Sequence, residues 1–161
     1  MVRKHERKKG GAAQMKSSGN ISGTTEIPGT PRTDWEPTDR FNIEDYNRIK
    51  RNLEYLRDRV SALCRFCETE DMGGEKNSYE VYFYAREFNL FEKNLEAICR
   101  QAPAGDCGTP QQFFDNGPFI GYEELNRIEG AILSINRTLD DLEACLPRLE
   151  VRLGYTKGIK I

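Results

Sequence analysis

Three stretches of the chain repeat one another without gaps, and this constrains the fold more than any other feature. Segments 41–56 (FNIEDYNRIKRNLEYL), 83–98 (FYAREFNLFEKNLEAI) and 120–135 (IGYEELNRIEGAILSI) each run apolar, three variable residues, acidic, apolar, Asn. Their starts lie 42 and 37 residues apart, the spacing of repeated supersecondary units, so each copy reads as one helix plus a linker. The period within each copy is helical. Tyr46, Ile49, Leu53, Leu56, Val60 and Leu63 step by 3 and 4, as do Val81, Tyr84, Phe88, Phe91, Leu95 and Ile98, and Leu125, Ile128, Ile132, Ile135, Leu139, Leu142 and Leu146. Such an alternation keeps one apolar stripe on a helix and suits knobs-into-holes packing.

Helices are therefore expected over about 43–67, 79–101 and 122–146. At the first start Asn42 can cap, Asp45 stands in a capping-box place, and Phe41 and Tyr46 occupy staple positions. At the third, Gly121 takes the cap position, and Glu123 with Glu124 complements the helix dipole. The second connection carries Pro103, Gly105, Gly108, Pro110, Gly117 and Pro118 and is long for a bundle loop. Its Phe113, Phe114 and Phe119 suggest that it packs back on the bundle or meets a partner. Pro147 is expected to end the third helix. Beyond it Leu149, Val151, Leu153 and Tyr155 alternate with polar residues or Gly, which reads either as a strand that pairs with another subunit or as a loose or helical tail.

Charge separates the N-terminus from the rest. Residues 1–40 hold eight Lys/Arg and five Asp/Glu, whereas 41–161 hold sixteen and twenty-one. Residues 1–33, basic and then rich in Gly, Ser, Thr and Pro, lack the apolar surface needed to order them and are expected to form a flexible arm. Residues 34–146 form the helical domain and 147–161 the tail. The architecture expected is mainly α, a three-helix bundle or parallel stack, with the stripes closing within one chain or pairing between chains as a trimeric coiled coil. With no apolar run near the roughly 20 residues a membrane helix needs, no membrane span is expected.

Chemistry-bearing residues are few. The only histidine, His5, lies in the arm, which nearly rules out catalysis built on a histidine base. Five cysteines, an odd count at low density, favour reduced thiols over a disulfide scaffold. Cys64 and Cys67 have the spacing of a zinc half-site, and Cys99 with Cys107 could complete it, but the second gap is irregular and buried thiols are the stronger reading. Carboxylates at Glu44, Asp45, Glu123 and Glu124 are explained by helix starts. No catalytic residue, metal or cofactor is expected. Asn47, Asn89 and Asn126 recur beside the core seam. They reflect either duplication with local bonding, or amides that hold the loop leading into a neighbouring repeat or subunit. Trp35 either plugs the bundle end or anchors a partner.

The string 33–56, with Trp35, then Phe41-Asn42 and Asp45-Tyr46-Asn47-Arg48-Ile49, resembles the opening of small tail, baseplate or fibre-associated proteins of tailed bacteriophages and prophages. Residues 125–129 carry a second instance and 87–92 a degenerate one with Leu90 in place of Arg. The resemblance implies a non-enzymatic virion tail component, made in the bacterial host cytoplasm and assembled with other tail or baseplate proteins and further copies of itself. Its candidate contact residues are Trp35, Phe41, the three asparagines, Phe113, Phe114, Leu149, Val151, Leu153 and Tyr155. The alternative is a small regulator whose basic arm binds nucleic acid. Six scattered charges without interleaved aromatics make nucleic acid the less expected partner.

Overall fold

The computed structural model describes residues 26–78, 82–103 and 106–154, the last eight by their backbone alone. Most of the arm, residues 1–25, and Tyr155 lie outside the described residues. Three helices are present, α1 (Ile43–Leu63), α2 (Ala85–Gln101) and α3 (Tyr122–Gly154), and no strand occurs among the described residues.

The apolar stripes close on one another within a single chain. Tyr46, Ile49, Leu53, Leu56 and Val60 of α1 meet Phe88, Phe91, Leu95 and Ile98 of α2 and Leu125, Ile128, Ile132, Ile135 and Leu139 of α3, all buried in one core. The helices run parallel. Arg48 of α1 bonds Glu129 of α3, and about three turns further on Arg59 bonds Asn136, Asp140 and Glu143, so partners advance together along both helices. At the start of all three helices Phe41, Phe83 and Phe119 converge with ring centroids 5.3–6.2 Å apart, and Phe88 packs against each of them.

Parallel packing explains the long connections. A 17-residue helix such as α2 is about 26 Å long, and the chain must travel that distance back before the next helix begins. Parallel helices also place three partial positive charges at one end, and Glu44, Asp45, Glu87, Glu123 and Glu124 in the first turns oppose them.

Local signals set most boundaries. Asn42 and Asp45 form a reciprocal capping box, each side chain accepting from the other's backbone N–H at 3.1 Å. The first helix stops at Leu63, short of residue 67, and α2 begins at Ala85, later than 79. The Tyr84 N–H donates to the Glu87 carboxylate at that start. Two boundaries move for physical reasons. Residues 26–33 are not part of a loose arm: Ile27 packs on the core, Gly29 bonds Asn52 and the Arg32 N–H bonds Glu129. The third helix passes through Pro147 to Gly154, so the strand reading fails at Leu149, Val151 and Leu153. In the sequence Leu139, Leu142, Leu146, Leu149 and Leu153 continue the 3-4 stepping, a helical period that overrides the short alternation. Proline removes one backbone donor there without ending the helix.

The core leaves little room for truncation. Leu53→Ala, at a fully buried position of α1, should lower unfolding free energy by about 2–5 kcal/mol, measured by urea denaturation.

Candidate functional site

Each recurring asparagine grips one residue of a linker with both ends of its amide. Asn47 donates to the Lys76 carbonyl and accepts from the Lys76 N–H, both at 2.9 Å. Asn89 does the same to Phe113, at 2.9 and 2.8 Å, and Asn126 to Trp35, at 3.0 and 2.8 Å. The order is cyclic: α1 holds the linker into α2, α2 holds the linker into α3, and α3 holds the segment into α1. These asparagines thus grip a neighbouring repeat's loop, inside one chain. The amides are thereby consumed and are not free for another subunit. A second set lies five residues further along two of the helices, where Asn52 grips Gly29 at 3.0 and 2.8 Å and Asn94 grips Glu70 at 2.8 and 2.9 Å. Both asparagines were visible in the aligned repeats, as a column shared by two copies of three.

Charged groups follow the same symmetry. Arg48 makes a two-pronged contact to Glu129, at 2.7 and 3.1 Å, and the equivalent Arg127 pairs with Glu92. Glu129 is also satisfied by the Trp35 indole N–H at 3.0 Å and the Arg32 N–H at 2.7 Å. Burial pushes the Glu92 carboxyl up, against the downward pull of Arg127. Where α2 has Leu90 at the arginine position, α1 has Lys50 facing no such partner, and Lys50 pairs with Glu54 instead. Two linkers share Gly-Thr-Pro, at 29–31 and 108–110, an echo of the repeat outside the helices. A Cβ on Gly29 would lie 2.8 Å from Arg48, and one on Gly108, whose φ is +66°, 2.8 Å from Arg127, so each glycine lets its linker pass beneath the equivalent arginine.

These contacts redistribute the sequence candidates. Trp35 is 4% exposed and plugs the bundle, with Arg32 stacked 4.3 Å from its ring, so it is a core residue and not a docking anchor. Phe41 is half-buried among the aromatic rings. The thiols depart from the reduced state expected of them: Cys99 and Cys107 form a disulfide with Cα atoms 6.4 Å apart, within normal reach. The four-cysteine zinc site is thereby broken, and no group of three or more metal-ligating side chains occurs among the described residues. Cys67 is buried, and burial raises the thiol pKa of both Cys64 and Cys67, which keeps them protonated.

Apart from Phe66, exposed just beyond the far end of α1, the strongly exposed aromatics collect at the end of the bundle where the helices start. Tyr82 is 77% exposed and Phe114 66%, with Tyr84 and Phe119 about half exposed, and the four line one groove of about 450 Å³. Phe113, gripped by Asn89, packs on Phe88 beneath them. Phe114 was singled out from the sequence. Tyr84 falls in the second helical stripe of the sequence although the helix begins only at Ala85, and Tyr82 falls outside that stripe. No helix among the described residues is long and apolar enough to cross a membrane. Comparison with protein-family models, curated proteins and solved structures yields no significant match.

Trp35→Phe keeps a ring but leaves Glu129 one donor short, and should cost about 1–3 kcal/mol. Asn126→Ala, which releases both backbone bonds to the same segment, should cost at least as much. Urea denaturation followed by circular dichroism checks both, since the first variant lacks the only tryptophan.

Proposed function

We propose that the chain is a non-enzymatic structural or adaptor subunit of a phage-type tail or baseplate, joined to its neighbours through the aromatic end of the bundle. The observation that carries this reading is the groove of exposed Tyr82, Tyr84, Phe114 and Phe119 gathered at one end of the bundle. Large aromatics left in water at one end are what a protein contact would bury, and Tyr and Phe supply much area at low entropic cost. The conspicuous polar side chains of the bundle are spent on its own linkers and ion pairs, which leaves contact surface as its main resource. The resemblance of residues 33–56 to small tail and baseplate proteins supplies the setting: a virion tail, after synthesis in a bacterial host, among other tail proteins and further copies of the chain.

The test uses particles purified from cells that encode the chain. The chain should be present at a fixed copy number, and a Tyr82→Ser, Phe114→Ser double variant that folds normally should be lost from the particles. Absence of the unaltered chain from them would defeat the proposal. Binding of DNA by the isolated full-length chain, weakening steeply with salt, would favour the regulator with a basic arm instead.

A further inference from the structure

The three linkers are anchored at two levels, and at the second level one anchor is of a different chemical kind. The upper grips fall on Trp35, Lys76 and Phe113. Six residues earlier in each linker stand Gly29, Glu70 and Cys107. Gly29 is held by Asn52 and Glu70 by Asn94, through paired backbone bonds. The residue aligned with Asn52 and Asn94 in the third repeat is Ala131, which is buried and has no amide to offer. There the linker is held by the bond from Cys107 to Cys99, in the last turn of α2, together with one hydrogen bond from Arg127 to the Cys107 carbonyl. A disulfide thus stands where the other two repeats use an asparagine.

The difference matters because an amide grip is indifferent to redox conditions and a disulfide is not. Both cysteines are partly exposed, and a groove of about 320 Å³ lined by Arg100, Asp106, Gly108 and Arg127 opens beside them. A small thiolate can enter such a groove and reach the disulfide, where Arg100 and Arg127 lie paired with Glu96 and Glu92. We propose that Cys99–Cys107 is a redox-controlled latch, opened by a dithiol reductant, that frees the lower part of the third linker while the other two linkers stay held. The first thiolate attacks one sulfur, forming a mixed disulfide and releasing the other cysteine as a thiolate. The second thiol of the reductant then closes on the mixed disulfide. Both cysteines finish as thiols, the reductant finishes as a cyclic disulfide, and two electrons and two protons have moved to the protein. The freed segment leads directly into Gln111–Phe114, so the latch acts on the linker that supplies Phe113 and Phe114 to the aromatic end.

Hydrogen–deuterium exchange on the full chain, with and without dithiothreitol, tests this. Reduction should speed exchange over residues 106–112 by about tenfold or more, while 27–32 and 68–72 remain unchanged. Cys99→Ser should show the fast pattern without reductant. Adding Ala131→Asn to it should restore slow exchange whether dithiothreitol is present or not. Five free thiols in protein purified without reductant would overturn the proposal, as would unchanged exchange on reduction or an equal rise in all three linkers. Persistently fast exchange in a folded double variant would count against the equivalence of the two anchors.

Discussion

Everything in this bundle depends on how a backbone can be laid alongside parallel helices without a sheet to receive it. Parallel helices in one chain require each linker to run back along the bundle, and a linker packed there carries N–H and C=O groups with no ladder to join. Left unpaired they would cost more than the packing returns. The asparagine amide solves this because it is a peptide group on a short stem. One oxygen and one nitrogen, held in a plane, satisfy the acceptor and donor of a single residue at once. Five such grips, at Asn47, Asn52, Asn89, Asn94 and Asn126, fasten all three linkers. Glutamine would carry the same group on a longer stem with more rotamer freedom to lose, and aspartate would lack the donor.

The buried charges depend on the same geometry. Arg48 and Arg127 each cross from one helix to the preceding one in the cycle and meet a carboxylate there. Such buried carboxylates depend on donors: Glu129 receives them from the linker as well as from arginine, whereas the Oε2 atom of Glu92 is buried without a hydrogen-bond partner. Glu129 illustrates the complete arrangement, with guanidinium, indole and backbone N–H all directed at one carboxylate. Glu92 has Phe113 nearby where Glu129 has Trp35, and so lacks an indole donor; the upward push of burial on its carboxyl fits that poorer environment.

Much of this was legible in the residues. The 3-4 stepping named the core, and the three aligned asparagines marked a shared contact before its partners were known. Helix direction was not legible as such, because the same stripes serve parallel and antiparallel bundles. The length of the connection into α3 was the available clue to it. At Pro147 the two-residue alternation of Leu149, Val151 and Leu153 competed with a seven-residue pattern in the leucines, and the longer period prevailed. The disulfide was obscured by an odd cysteine count. It becomes intelligible only once Ala131 is seen to interrupt the column formed by Asn52 and Asn94. Exposed Tyr84 escaped because a stripe extended past its helix start assigns an inward position to a residue that lies before the helix.

The cyclic order of the upper grips has one more consequence. Since α3 holds the entry to α1 just as α1 holds the entry to α2, the chain closes on itself, and its folded core has no intrinsic first repeat. The order in which the three copies are translated is then incidental to the architecture. A circular permutant opened at a linker and joined elsewhere would contain the same three helix-to-linker embraces, and the trio is best thought of as a closed trimer that happens to be written on one strand.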